Sequence, residues 1–302
     1  MSSQSLFNSK FAVEFSILIG RYMPMSTGYW LSQKLAGLIG SFQGLEINRN
    51  IRTNQYVVNG ENKSHRELVQ LNKDVLQHAG KCYYDLYHYI DRARKLEELV
   101  PLSPQMSELI RLSHLKEGFL IVAPHMSNFD LVVSRLVSEG FEGRVLSYPN
   151  PGSGYQLQND IRVSYGLDVV PLSDPWAETG MIDYLKQGGV IATAVDRPLP
   201  NRKKRHYIDF FGRPSPLPAG YVTTALAADV PIVAVTAIME KNGNYGFRLS
   251  EPIRLKRYRD KMDTLFLNAE RTLKEIEEFI KLAPSQWLMY YPVWPDLLSE
   301  DL

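Results

Sequence analysis

Apolar residues along this chain follow two different periods, and the change falls near Gly118. Before Gly118 they recur at helical spacing, most clearly over residues 68–90, behind a Ser64–Glu67 pair that fits a capping box. After Gly118, short apolar runs of strand length alternate with helical segments. The pattern therefore predicts a helical region over residues 1–95, followed by an α/β domain over residues 96–302.

The apolar runs of the second region predict a sheet. We expect strands at residues 119–123, 144–148, 168–172, 190–195 and 231–239, with an added strand at 245–253. Helical patterns lie between them and close the chain, at residues 128–139, 155–165, 178–187, 217–228 and 263–282. This alternation is typical of crossover connections, so the predicted fold class is α/β, a layered, mostly parallel sheet flanked by helices. Ligands bind such sheets at the carboxyl ends of strands, which is where candidate residues are sought.

The first forty residues contain two apolar segments, 11–20 and 29–42, which include the charged residues Glu14 and Lys34. A membrane-spanning helix needs roughly 20 predominantly apolar residues, and no charge-free run here is that long. A signal peptide is not expected either, because no compact apolar run precedes a small-residue cleavage site. Two interpretations stay open: amphipathic helices in a membrane interface, and a helical pair packed on the enzyme body.

Composition narrows the class of protein. Of the 302 residues, 44% are hydrophobic and 22% are charged, which excludes a disordered or fibrous chain. The formal net charge of +1 argues against a general nucleic-acid binder. The single cysteine, Cys82, excludes an intrachain disulfide and a cysteine-based zinc site, and it favours a reducing compartment.

His125 directly follows the first predicted strand, and Asp130 comes five residues later. If Asn128 caps the next helix, Asp130 lies in its first turn and is able to fold back towards His125. An imidazole paired with a carboxylate takes a proton from a hydroxyl group. We therefore expect His125 to be a general base and Asp130 its partner, although a histidine near a strand end is also common in a purely structural role.

Other motifs of catalysis are missing from the sequence. There is no G-x-S-x-G nucleophile elbow, no P-loop and no G-x-G-x-x-G after a strand. His125 and Asp130 also lack the further ligands that a zinc site needs, so we predict no metal and no resident cofactor. The pattern favours direct attack by a substrate hydroxyl.

Basic residues form a local cluster in this balanced chain. Arg202, Lys203, Lys204 and Arg205 are consecutive and follow the strand that ends near Asp196. We expect a clamp for substrate phosphates here, although a charge run is often only a solvated loop. Further candidate substrate-binding residues are Asn128, Arg162, Arg197 and Arg213, and each arginine has a surface ion pair as its simpler interpretation. Asp196 either assists catalysis, orients the acceptor or pairs with Arg197.

Several motifs in order along the chain resemble one family. The sequence APHMSNFDL around His125 resembles the HX4D motif of the lysophospholipid acyltransferase superfamily, specifically its lipid A biosynthesis and phosphatidylinositol mannoside acyltransferase branch. Residues 162–171, 195–197, 209–220, 230–233 and 283–287 are similar to later motifs of that branch, and residues 49–58 to its N-terminal block.

The resemblance implies an acyltransferase that moves a fatty acyl chain from acyl-CoA or acyl carrier protein, as co-substrate, to a hydroxyl of a membrane glycolipid. It implies that His125 is the general base and Asp130 its partner, and we add Asp196, at its strand end, as a third catalytic candidate. With a lipid substrate, residues 1–95 are expected to be a membrane-interface region that holds the protein, as a peripheral or interfacial protein, on the cytoplasmic face of the cell inner membrane. The residues after Trp287 lack the basic pair of lipid A enzymes, which favours a mannoside-type or other glycolipid acceptor. Two alternatives are an acyl thioesterase that uses the same His-Asp pair on water, and a non-catalytic lipid-binding protein.

Overall fold

The computed structural model describes residues 10–149, 152–198 and 207–299 of the chain. Within the described residues, the helices before the first strand are α1 (Lys10–Tyr22), α2 (Met25–Ser41), α3 (Glu46–Val58), α4 (His65–Tyr89), α5 (Ala93–Leu99) and α6 (Pro104–His114). The strands are β1 (Phe119–Ala123), β2 (Arg144–Ser147), β3 (Asp168–Pro171), β4 (Val190–Ala194), β5 (Ile208–Phe210), β6 (Arg213–Ser215), β7 (Ile232–Met239) and β8 (Tyr245–Leu249). Later helices are α7 (Phe129–Ser138), α8 (Ser153–Ser164), α9 (Pro175–Thr179), α10 (Met181–Lys186), α11 (Gly220–Ala228) and α12 (Lys261–Leu282), and two 3₁₀ turns follow, Pro284–Gln286 and Pro295–Ser299.

Six strands form one sheet in the order β3-β2-β4-β1-β7-β8. All neighbouring pairs are parallel except β7 and β8, which are antiparallel. The predicted α/β fold, with its mostly parallel sheet and helical N-terminal region, is confirmed. The division of the chain between residues 95 and 96 stays a prediction.

The sheet separates two cores because side chains alternate across it. Leu120 and Val122 of β1 pack into a core with helices α11 and α12, whereas Phe119 and Ile121 pack into a second core with α4, α6 and α7. Burial on both faces explains why β1 is a continuous apolar run in the sequence and does not alternate with polar residues.

Two local predictions differ from the structure. The helix expected at residues 178–187 is two short helices, because Asp174 caps an earlier start at Pro175 and Gly180 separates the two. The small antiparallel hairpin of β5 and β6 was not predicted, since its three-residue strands are too short to show a period.

Helices α1 and α2 pack closely on α4. A side chain at Gly28 would place its Cβ 1.9 Å from a ring carbon of Tyr84. Next to this contact, the buried Asp85 carboxylate accepts hydrogen bonds from Tyr29 of α2 at 2.5 Å, Tyr245 of β8 at 2.6 Å and Lys81 at 3.0 Å. The N-terminal helices are thus joined to the sheet through α4. Among the described helices, none combines the length and apolar character needed to cross a membrane.

The substitution Gly28→Ala tests this packing. Because the added methyl group meets the Tyr84 ring, we expect the free energy of unfolding to fall by about 1–3 kcal/mol. The control is Gly37→Ala in the same helix, where the new Cβ meets nothing within 4 Å and alanine is the better helix former. Urea unfolding of both variants checks the prediction, and equal losses in the two would contradict it.

Candidate active site

The sheet register brings His125 and Asp196 together. Ala123, at the end of β1, pairs with Ala194, at the end of the adjacent parallel strand β4. His125 and Asp196 each lie two residues beyond that pair, so both leave the sheet at the same level. Although 71 residues separate them in sequence, they are neighbours at the carboxyl edge, which is where open α/β sheets bind ligands.

The Asp196 carboxylate receives three hydrogen bonds. Its Oδ1 lies 2.7 Å from Nδ1 of His125, and its Oδ2 accepts from the His125 backbone N–H and from the Trp287 indole N–H, each at 2.7 Å. Asp196 is completely buried. Burial by itself raises the pKa of a carboxyl group, but the charge and hydrogen bonds of His125 and the Trp287 N–H outweigh it and hold the pKa of Asp196 below its usual range. The carboxylate is therefore ionised at neutral pH.

The ionised Asp196 carboxylate determines which ring nitrogen of His125 carries hydrogen. A carboxylate only accepts hydrogen bonds, so Nδ1 of His125 is the ring nitrogen that carries hydrogen. The other nitrogen, Nε2, then presents a lone pair. The His125 side chain is about one-third exposed, at 30%, and it lines a cavity. This arrangement suits a histidine that takes a proton from a bound molecule.

The turn that carries His125 is held by the chain after α12. Leu288 donates its backbone N–H to the His125 carbonyl at 2.8 Å, and the Ser127 N–H donates to the Gln286 carbonyl at 2.8 Å. The Gln286 side chain in turn binds the backbone N–H and carbonyl of Met239, at the end of β7. Ser127 has a φ of +50°, so this segment supports a left-handed conformation that is unfavourable for serine.

Helix α3 holds the same C-terminal segment through buried amides. Asn54 donates to the carbonyls of Met289 and Tyr291, at 3.0 and 2.8 Å, and its oxygen accepts from the Val293 N–H at 3.1 Å. Gln55 adds a hydrogen bond to the Pro284 carbonyl at 2.8 Å. The polar stretch around residue 54 is buried for this reason, and it supports the site without lying in it.

The side chain of Asp130 does not bind His125 as expected. It lies in the first turn of α7 as predicted, but its carboxylate accepts from Nε and Nη2 of Arg162 on α8, at 2.7 and 3.1 Å. The carboxylate that accepts a hydrogen bond from the His125 ring is therefore that of Asp196 and not, as predicted, that of Asp130. Burial alone lowers the pKa of the Arg162 guanidinium, and the Asp130 charge more than offsets this and raises it. Asp130 and Arg162 form a buried ion pair.

The other candidate residues have varied surroundings. Asn128 caps α7 through the Leu131 N–H and donates to the carbonyl of Cys82. Arg213 forms a bidentate ion pair with Glu61, away from the cavity. Arg197 lines the cavity together with His125, Asn128, Asp130 and Arg162. The predicted basic clamp, Arg202, Lys203, Lys204 and Arg205, lies outside the described residues.

A cavity of about 480 Å³ opens beside His125. Its walls come from α1, α2, α4, α7 and the sheet, and they are largely apolar, with Leu31, Leu35 and Phe247 among the lining residues. This volume falls in the range of roughly 300–1,000 Å³ that is usual for small-molecule sites. Within the described ranges, no cluster of histidine, cysteine or acidic side chains is arranged to hold a metal ion.

Sequence reasoning missed the supporting residues Trp287, Gln286 and Asn54. The first two belong to a stretch noted for its resemblance to a family motif, but no role was predicted for them. Asn54 lies in residues 49–58, which also resemble a family motif, but polar residues on a helix are usually exposed, so no buried role was predicted for it.

Comparison with known proteins gives a consistent result. The family model for bacterial lipid A biosynthesis acyltransferases matches residues 6–295. Two relatives are phosphatidylinositol mannoside acyltransferases of Mycobacterium tuberculosis, from strains CDC 1551 / Oshkosh and H37Rv, and each is 28% identical over 188 residues. These alignments cover 61% of this chain and 57% of each relative. The chain thus aligns with a little over half the length of these relatives.

The substitution Trp287→Phe tests the support of Asp196. Loss of the indole N–H leaves the buried carboxylate with one donor fewer, and we expect a cost of about 1–3 kcal/mol in the free energy of unfolding at pH 7. Because the pKa of Asp196 is lowered in the folded state, its contribution is present above the unfolded value and is lost as the pH falls through the folded value. The free energy of unfolding lost in Trp287→Phe should therefore be smaller in acid than at pH 7. Urea unfolding of the variant and the wild type, from pH 7 down into acid, measures this difference.

Trp294 provides the matched control. It is equally buried in the same aromatic cluster, and its indole N–H has no partner among the described residues. Trp294→Phe should cost packing energy that does not depend on pH in this range. The same pH dependence in both variants would contradict the assigned role of Trp287.

Proposed function

The chain belongs to the family of bacterial lipid A biosynthesis acyltransferases, and on that premise we propose that it is an O-acyltransferase. It would move a fatty acyl chain from acyl-CoA or acyl carrier protein to a hydroxyl group of a membrane glycolipid or phosphoglycolipid. One observation carries this proposal: the His125–Asp196 hydrogen bond lies at the rim of an apolar cavity. The pair provides a base, and the cavity provides space for an acyl chain.

The proposed reaction needs a single base. Nε2 of His125 takes the proton of the acceptor hydroxyl as its oxygen attacks the thioester carbonyl carbon. The resulting tetrahedral intermediate collapses, a C–O bond replaces the C–S bond, and the thiolate leaves with the proton from His125. Asp196 stabilises the imidazolium that forms in between, since its negative charge is 2.7 Å away at Nδ1. Asp130 and Arg162 act indirectly, because their ion pair holds the start of α7.

The apolar cavity fits the acyl chain of the donor. Burying a methylene group from water is worth about 0.8 kcal/mol, so a long chain gains much of its affinity from such walls. Helices α1 and α2 form part of these walls. We therefore assign the N-terminal helices to substrate binding as well as to support.

The outer face of α1 and α2 suits a lipid surface. Large hydrophobic side chains on or beside these helices are exposed: Phe15, Leu18, Tyr22, Met25, Trp30, Leu35, Leu38 and Phe42. Many exposed large apolar side chains on two successive helices are typical of an interaction site, and aromatic residues favour the membrane interface. We propose that this face rests on the membrane that carries the acceptor, which places the cavity beside its substrate.

Substitution of the catalytic pair tests the proposed reaction. His125→Ala and Asp196→Asn should each lower kcat by roughly 10²–10⁴, the first by removing the base and the second by releasing the ring from its required tautomer. The control is His114→Ala, because His114 is exposed, bonds to the Gly140 carbonyl and does not line the cavity. The assay follows palmitoyl-CoA, with phosphatidylinositol mannoside and a lipid A precursor offered separately in vesicles.

Product analysis separates this function from the two alternatives. Transfer predicts acylated glycolipid that depends on His125. Free fatty acid as the sole product, with acceptor present, would contradict transfer and favour a thioesterase. Normal turnover by the His125→Ala variant would rule out the proposed base.

Membrane binding is tested by the double substitution of Leu18 and Trp30 with glutamine. These side chains are 55% and 59% exposed, so the change should leave the fold intact while removing apolar area from the outer face. We expect sedimentation with vesicles of anionic phospholipid to weaken about tenfold or more, since each large side chain contributes roughly 1.5–3 kcal/mol when buried. Leu115→Gln, an exposed leucine at the amino edge of the sheet, is the control. Equal vesicle binding by all three proteins would refute the assignment.

A further inference from the structure

Arg144 and Arg197 are each held at short range between two aromatic rings. Arg144 lies 4.3 Å from the ring of Trp176 and 4.5 Å from that of Tyr184, at the amino end of β2. Arg197 lies 3.7 Å from the ring of Tyr291 and 5.0 Å from that of Tyr148, just past the end of β4. Such contacts orient a guanidinium group without neutralising its charge.

The two arginines differ in what neutralises them. Nε of Arg144 donates to the Asp168 carboxylate at 2.7 Å, which completes an ion pair. No salt bridge within the described parts of the chain involves Arg197, and its Nε is buried without a hydrogen-bond partner there. Tyr291 shares a hydrogen bond with Arg197, but a neutral phenol leaves the positive charge in place.

The neighbouring acid does not neutralise Arg197 either. The Asp196 carboxylate accepts from His125 and Trp287, and within the described residues no salt bridge joins it to Arg197. Arg197 is half-buried and lines the cavity beside His125. An oriented, unneutralised guanidinium in a partly enclosed site is suited to an anion that arrives with a substrate. A phosphate, like a carboxylate, matches the planar guanidinium through two parallel hydrogen bonds, and phosphate is the anionic group that acyl-CoA, acyl carrier protein and a phosphoglycolipid all carry.

We propose that Arg197, held between Tyr148 and Tyr291, binds a phosphate group of a substrate at the mouth of the cavity. This inference rests on the proposed function, since it assigns a ligand group to the same site. The phosphate belongs either to the phosphopantetheine arm of the acyl donor or to a phosphoglycolipid acceptor. In either case the guanidinium group of Arg197 binds the phosphate oxygens.

Binding of inorganic phosphate tests the site without any turnover. In a ³¹P NMR titration of the full chain, Arg197→Gln should weaken phosphate binding by roughly tenfold or more, the loss expected for a charge-assisted hydrogen bond. Arg197→Lys keeps the charge but loses the two parallel N–H donors, so its phosphate affinity should lie between those of the wild type and Arg197→Gln. Arg144→Gln is the matched control, and it should bind phosphate like the wild type.

The His125→Ala variant separates this proposal from the proposed function. It should bind phosphate normally, because Arg197 does not depend on the base. If the wild type binds phosphate through Arg197 but transfers no acyl chain, the proposed function fails and the phosphate site stands.

Two thioester donors distinguish the sources of the phosphate. Palmitoyl-CoA carries phosphates, whereas palmitoyl-N-acetylcysteamine carries none. If the phosphate belongs to the donor, Arg197→Gln raises KM for palmitoyl-CoA and leaves KM for the other donor unchanged. If it belongs to the acceptor, the variant raises KM for phosphatidylinositol mannoside with either donor.

Two results would overturn the proposal. One is unchanged phosphate binding in Arg197→Gln, or an equal loss in Arg144→Gln. The other is a fall in kcat with every KM unchanged, which would place Arg197 on the reacting carbonyl oxygen and not on a phosphate.

Discussion

The buried Asp196 carboxylate constrains the rest of the site. A charge without solvent is tolerated only when hydrogen bonds replace its water, and here three donors do so. His125 supplies two of them and Trp287 the third. Each donor has its own support, since the chain at Gln286 and Leu288 holds the His125 turn and Asn54 holds the segment that follows. Parts of the chain far apart in sequence therefore converge on one acid.

The sequence predicted the layers of the fold better than their order. Alternating apolar runs and helices indicated a parallel sheet, and they located His125 at a strand end. They did not show that β4 lies beside β1, because neighbours in a sheet depend on crossover connections and not on local pattern. Asp130, five residues from His125, was therefore the nearest candidate partner, whereas the structure pairs His125 with Asp196. The roles of these acids in catalysis stay proposals.

Asp130 and Arg162 show how one local feature can mislead. The first turn of a helix favours an acid, so Asp130 was correctly placed on α7. Its side chain faces α8, where Arg162 is more deeply buried than His125, which is about one-third exposed, and so has the greater need of a negative partner. Arg197 shows the reverse: the overall charge is balanced, yet this arginine beside the cavity forms no salt bridge with any carboxylate in the described part of the chain. Neither fact is visible from composition, since both depend on which helices and strand ends meet.

The central claim is that Asp196, and not Asp130, holds the Nδ1 proton of His125. NMR spectra of the full chain with ¹⁵N-labelled histidine test it directly, with the His125→Gln variant to assign the ring signal. We expect a hydrogen-bonded Nδ1–H resonance that is kept in Asp130→Asn and lost in Asp196→Asn. Loss of the resonance in Asp130→Asn, with retention in Asp196→Asn, would contradict the account.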